Sequence, residues 1–184
     1  IEGSERRNIL KSLTILRHAK SGWDATVERD FDRPINERGR LGAKLVGAWF
    51  QRQDFALDQI TASPAVRVTQ TLDVFQPSSG LATLDVHFDR RIYLASAATL
   101  MDVIRETPDS VDNLLICGHN PGLEDLILML VPANSSDEHR AKVDEKLPTA
   151  ALAHLELDIS SWTALDEKSA RFINFIRPRD LDPS

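Results

Sequence analysis

Two histidines and two arginines stand where a chain of alternating strands and helices would expose them. His18 follows the short apolar run 12–16, and His119 follows the apolar run 113–117. Arg17 directly precedes the first histidine, and Arg67 falls in the first turn of a helix that Ser63 would cap and Pro64 would enter. In an open α/β sheet, ligands sit outside the carboxyl ends of the strands. Helix starts there add free N–H groups and the positive end of a dipole. Guanidinium forks match phosphate oxygens two at a time, which an ammonium does less well. Gathered at one sheet edge, these four side chains make an anion site, and phosphate is its natural occupant.

The elements that would position them follow from hydrophobic periodicity. Residues 12–16, 58–62, 83–88, 113–117, 151–159 and 171–176 read as strands. Residues 36–52 carry Leu41, Leu45, Ala48 and Trp49 at helical spacing behind an Asn36 cap, with Gly39, Gly42 and Gly47 allowing close packing. The segment after Ser63 carries Val68, Leu72 and Phe75, residues 96–106 carry Leu100, Val103 and Ile104, and Asn120-Pro121 opens a segment with Leu123, Leu126, Ile127 and Leu130 inward. Strands alternating with helices predict an α/β fold, a three-layer sandwich whose mostly parallel central sheet is flanked by helices. The polar stretch 134–146 reads as a long surface loop within it.

The 184 residues suit one domain, taken as 12–184, behind an N-terminal extension 1–11. The 22 Lys and Arg against 28 Asp and Glu give a net charge of −6, which argues against non-specific nucleic-acid binding. No polybasic block suits an anionic membrane, and the longest apolar run, 126–131, falls far short of the ~20 residues of a membrane span. The polar start of the chain has no signal-peptide pattern, and the single Cys117 excludes an internal disulfide. A cytoplasmic protein is the expectation. The remaining histidines read as structural or solvated: His87 on a solvated strand face, His139 exposed in the polar stretch, and His154 on a strand surface. Cys117 reads as a small buried residue, Trp49 and Trp162 as packing residues, and Trp23 as lining the mouth of the site.

Three blocks carry a family resemblance. Leu16-Arg17-His18-Ala19-Lys20 resembles the Arg-His-Gly signature of the histidine phosphatase (phosphoglycerate mutase-like) superfamily. Ser63-Pro64-x-x-Arg67-x-x-Gln70-Thr71 is similar to its second block, and Gly118-His119-Asn120-Pro121 to its third. Within the superfamily the chain most resembles the small SixA-type phosphohistidine phosphatases, through Ala19-Lys20-Ser21, Asp32-Arg33-Pro34…Gly39 and the absence of a large inserted cap.

The resemblance implies a phosphoglycerate mutase-like fold and phosphoryl transfer without metal or cofactor. Neutral His18 would attack phosphorus and become a phosphohistidine, its other ring nitrogen held by a backbone carbonyl. Arg17, Arg67 and His119 would surround the phosphoryl oxygens, and water would then release inorganic phosphate. The implied substrate is a phosphohistidine on a protein, an HPt-like domain of a two-component relay or a phosphocarrier.

Two departures bear on the substrate. Relatives with a general acid carry a Glu shortly after the second block, where this chain has Arg90-Arg91-Ile92-Tyr93-Leu94-Ala95. Trp23-Asp24 stands where many relatives have Trp-Asn. An alkoxide leaves with a pKa near that of water, ~15.7, and needs a proton. A phosphohistidine leaves as imidazole, with a pKa of about 6.5, and needs less help. The missing Glu thus favours a P–N substrate, with Asp24 and Glu28 as the candidate acids or substrate contacts if one is used. Two alternatives stay open: a small-molecule phosphomonoesterase of the same superfamily, and a phosphohistidine-binding regulator without turnover.

Overall fold

The computed structural model describes residues 10–133 and 137–183. Six strands form one sheet: β1 (Lys11–Arg17), β2 (Gln59–Ala62), β3 (Val86–Phe88), β4 (Asn113–Gly118), β5 (Leu152–Leu157) and β6 (Ala170–Ile176). Their order is β3-β2-β4-β1-β5-β6. The run β3-β2-β4-β1 is parallel, and β5 lies antiparallel to both β1 and β6. Both faces of the central strands are buried, as a parallel sheet requires.

The alternation of side chains sorts the core into two layers. Leu13 and Ile15 of β1 join Leu114 and Ile116 of β4 in packing against helices α3 (Ala97–Arg105) and α4 (Gly122–Leu130). Leu16, Leu115 and Cys117 point the other way, toward α1 (Glu37–Arg52) and α2 (Val66–Ser78), through Val46, Phe50, Val68, Leu72 and Phe75. The expected three-layer α/β sandwich is the one observed. Among the described residues no helix is long and apolar enough to cross a membrane.

Four local expectations need correction. The stretch 134–146 is not a loop throughout, because Glu138–Glu145 form helix α5, capped by Asp137 and anchored by the buried Val143. Good helix formers with a single apolar residue leave no periodicity to read; residues 134–136 lie outside the described residues. The extension cannot run to residue 11, since Lys11 begins β1 and its ammonium is buried, donating to Asp109 O at 3.1 Å, Val111 O at 2.9 Å and Asp112 Oδ1 at 3.1 Å; residues 1–9 lie outside the described residues. His154 is buried rather than on a surface, with Nδ1 2.9 Å from Thr14 Oγ1 and its ring stacked on Phe55. Finally, α2 starts at Val66, and Ser63 serves the site instead of capping the helix.

A short helix, α6 (Pro178–Leu181), closes the chain against α1. One glycine fixes how α4 approaches the 92–95 turn that borders the site. A Cβ on Gly122 would lie 2.0 Å from the backbone oxygen of Ala95. Gly122→Ala is therefore expected to cost about 1–3 kcal/mol, the usual range for overpacking. Thermal melts should show a Tm several degrees lower; an unchanged Tm would mean that the turn yields freely.

Candidate active site

The site begins with strand register. In the parallel pair β1 and β4, Arg17 lies opposite Gly118, and His18 N donates to Gly118 O at 3.1 Å. Both chains thus leave the sheet at the same edge. This brings the rings of His18 and His119 to 5.4 Å between centroids, although the residues are far apart in sequence. A cavity of about 420 Å³ opens there, lined by Arg17, His18, Arg67 and His119 together with Asp30 and Arg33. Lys20, Ser21, Leu94, Asn120 and Thr149 also line it, and Leu94 holds a left-handed φ of 50°, a costly backbone state for a side chain of that size.

His18 is 7% exposed, and its Nδ1 lies 2.8 Å from Ala19 O. A carbonyl only accepts, so Nδ1 carries the hydrogen and Nε2 keeps its lone pair. The carrier loop is itself fixed. Ala19 N donates to Thr71 Oγ1 at 2.8 Å, and that hydroxyl donates to Arg67 O at 2.6 Å, tying the histidine to the arginine's helix. Burial, and then the charges of Arg17, Arg67 and Arg33, push the His18 pKa down to about 4 against the opposing pull of the Ala19 carbonyl. His119 is 3% exposed, with Nε2 2.8 Å from Ser63 Oγ. Burial, followed by Arg67 and His18, pushes its pKa down to about 3. Desolvation disfavours the charged imidazolium, so both rings are neutral at pH 7. Ring nitrogen shifts in an NMR titration should show both histidines neutral at pH 5.5, where an ordinary histidine is mostly protonated. A bound oxyanion should raise both values, since a neighbouring negative charge favours the imidazolium. A normal value for either free ring would contradict this electrostatic picture.

Arg67 is buried and held by Asp30: Nη1 donates to Asp30 O at 2.8 Å and Nη2 to Asp30 Oδ2 at 3.0 Å. The Asp30 carboxylate also accepts from Tyr93 Oη at 2.7 Å and Arg33 Nη1 at 3.0 Å. Desolvation works against its charge, but these donors hold its pKa down to about 2. Arg17 donates through Nη1 to Leu147 O at 2.9 Å. Buried polar atoms without a partner among the described residues concentrate here. They include Arg17 Nε, Arg33 Nε, His119 Nδ1 and Asn120 Oδ1, all on residues that line the cavity. Buried donors normally find partners, and leaving one unpaired costs about 1–3 kcal/mol. Three of these atoms are nitrogens suited to the oxygens of an anion.

The profile of the histidine phosphatase superfamily (branch 1) matches residues 13–93. An uncharacterized protein of Mycobacterium tuberculosis is 31% identical over 165 residues, covering 89% of this chain and all of that protein. The chain belongs to the histidine phosphatase superfamily. It is a phosphatase. Solved structures agree. A protein of Agrobacterium tumefaciens assigned as the phosphohistidine phosphatase SixA superposes with a TM-score of 0.74 at 28% identity, covering 91% of this chain and 98% of that one. The protein histidine phosphatase SixA complexed with tungstate also gives a TM-score of 0.74, at 21% identity over 93% and 99% of the two chains, a likeness of fold.

Within this histidine phosphatase the four residues singled out in sequence share one cavity, but the two candidate acids do not join them. Asp24 is exposed, its Oδ1 accepting from Thr26 N at 2.8 Å and from the Thr26 hydroxyl. Those bonds hold its carboxyl below the ordinary range, and it does not line the cavity. Glu28 is exposed and also outside the lining. The carboxylate that does reach the site is Asp30, in a short 3-10 turn, Asp30–Asp32. No periodicity distinguishes it from its acidic neighbours. The neighbouring Arg33, within Asp32-Arg33-Pro34, was the available signal for this segment. Cys117 is buried in the core layer beneath α1 and α2, and burial pushes its thiol pKa up, so it is no nucleophile.

Proposed function

We propose that this phosphatase hydrolyses a phosphohistidine borne on a protein, by way of a phospho-His18 intermediate. The observation that carries the reading is the Nδ1–H···O=C bond of a neutral His18, which leaves Nε2 as a nucleophile beside the half-buried Arg17 and the buried Arg67. Nε2 attacks phosphorus in line, and the P–N bond to the substrate imidazole breaks as the P–Nε2 bond forms. Arg17, Arg67 and His119, in the tautomer whose Nε2 accepts the Ser63 hydroxyl and whose Nδ1 carries the hydrogen, stabilise the charge spread over the phosphoryl oxygens. Water then attacks the phospho-His18, releasing inorganic phosphate and restoring the imidazole. The arginines supply the positive charge, so no metal or cofactor enters the scheme.

The choice of substrate rests on the acid. Asp30 is the carboxylate lining the cavity among the described residues, and with a pKa near 2 it has no proton to give at pH 7. A site without a general acid suits an imidazole leaving group far better than an alkoxide. The protein named SixA that binds tungstate is a protein histidine phosphatase, which supports the same reading by likeness of fold. The chain from Lys11 onward would act as one domain in the cytoplasm, serving signal transduction through an HPt-like domain or a phosphocarrier. The test is a comparison of kcat/KM on a phosphorylated HPt domain with that on a panel of phosphate monoesters. A preference of at least about 10²-fold for the P–N substrate is expected, the lower bound of general-acid assistance that an ester would miss. An ester turned over more efficiently than the phosphoprotein would overturn the proposal.

A further inference from the structure

A second cleft of about 390 Å³ adjoins the catalytic cavity and shares Arg17, Lys20 and Thr149 with it. Its charged lining is one-sided. Arg17, Lys20, Arg38, Lys146, Arg177 and Arg179 all contribute, and no Asp or Glu does. This is a local excess of positive charge in a chain whose net charge is −6. Four separate parts of the fold build it: the end of β1 with the loop after it, the start of α1, the segment from the end of α5 through 150, and α6. Gly39 permits the approach, since a Cβ there would lie 2.3 Å from Lys20 O.

The state of these cations indicates what they meet. Arg177 is bonded to Asp180 and holds the start of α6. Lys20, Arg38 and Lys146 are exposed and make no ion pair among the described residues. The catalytic cavity, by contrast, grips with guanidinium groups fixed by hydrogen bonds, Arg17 to Leu147 O and the buried Arg67 to Asp30. Two of the three exposed cations are flexible, hydrated ammonium groups, and the third, Arg38, stands on the open rim with no partner among the described residues to fix its plane, an arrangement that does not chelate a single small anion well. They do attract a diffuse negative surface, raising the rate of encounter by about 10–10³-fold at low salt.

We infer that this cleft is the docking surface for an acidic face of the protein that carries the phosphohistidine, placing carboxylates beside Arg38 and Lys146 while the phosphoryl group enters the neighbouring cavity. The inference rests on the function proposed above and deepens it. Both cations lie outside the catalytic lining, so docking and chemistry are separable.

The test compares the full chain with its Arg38→Glu/Lys146→Glu variant on two substrates, a phosphorylated HPt domain with an acidic surface and the small molecule phosphoramidate. The variant is expected to lose at least about tenfold in kcat/KM on the phosphoprotein, through KM, and to show little of the wild type's decline between 20 and 200 mM salt (a range chosen to span strong and weak screening, about 20 to 7 Å of Debye length). Its turnover of phosphoramidate should stay within about twofold of wild type, which also reports an intact fold. An undiminished rate on the phosphoprotein would overturn the inference while leaving the catalytic reading standing. An equal loss on both substrates would overturn it too, as would loss of tripolyphosphate binding with phosphoprotein turnover unchanged, which would give the cleft to a small polyanion. If the wild type hydrolyses neither substrate, the catalytic reading fails, and the cleft is judged by a hexaglutamate peptide: binding at 20 mM salt that the variant loses supports the acidic-face assignment, and its absence ends it.

Discussion

His18→Ala should abolish turnover, by about 10⁴–10⁶-fold, the scale seen when an enzyme loses its nucleophile. The substitution removes the one lone pair aimed for in-line attack and leaves the rest of the site in place. Arg17 keeps its bond to Leu147 O, Arg67 its bonds to Asp30, and His119 its bond to Ser63, because none of these runs through the His18 ring. Binding and chemistry should therefore separate. The variant is expected to hold tungstate or phosphate within a few-fold of wild type while its kcat collapses. Radiolabelled phosphoprotein should leave an acid-labile, base-stable adduct on the wild type and none on the variant. A variant that retains even a hundredth of wild-type kcat, or that still forms the adduct, would move the nucleophile elsewhere.

The parts of this site legible in sequence are those that sit at strand ends. His18 and His119 each follow a buried run, and two parallel neighbours in register necessarily deliver such residues to one edge. Arg67 was legible for the same reason, one helix start away. What could not be read depends on pairing across the chain. Ser63 before Pro64 has the local pattern of a helix cap, but its hydroxyl meets His119, and the helix begins at Val66 instead. Asp24, Glu28, Asp30 and Asp32 form an irregular acidic stretch in which sequence gives no facing; the 3-10 turn at Asp30 decides which carboxylate points inward, and Arg67, Arg33 and Tyr93 hold it there. Lys11 and His154 failed in the same manner. Each is polar and looked exposed, yet each is buried because its partners, Val111 and Thr14, are supplied by distant strands and turns.

Arg67→Lys, which keeps the charge, should still cost about 10²–10³-fold in kcat/KM, the usual scale for losing one preorganised donor to a developing oxyanion. The reason is geometric. The guanidinium spans two Asp30 acceptors at once, the backbone oxygen through Nη1 and the carboxylate through Nη2, and that double bond fixes the plane it presents to the cavity. An ammonium has no such plane and cannot hold both acceptors in the same orientation. Asp30 then loses one of the donors that keep its pKa near 2, so its pKa should rise, and its carboxylate gains freedom to turn toward an incoming phosphoryl dianion and repel it. Asp30→Asn should cost less, because the side-chain carbonyl still accepts one bond and the repulsive charge is gone. In the Arg67→Lys/Asp30→Asn double variant the losses should fall short of their product, since with the lysine in place there is no fork left for Asp30 to orient. Steady-state kinetics on the three variants decides the matter. If the two effects multiply, Asp30 does not act through Arg67, and its place in the cavity must be explained by direct contact with the substrate.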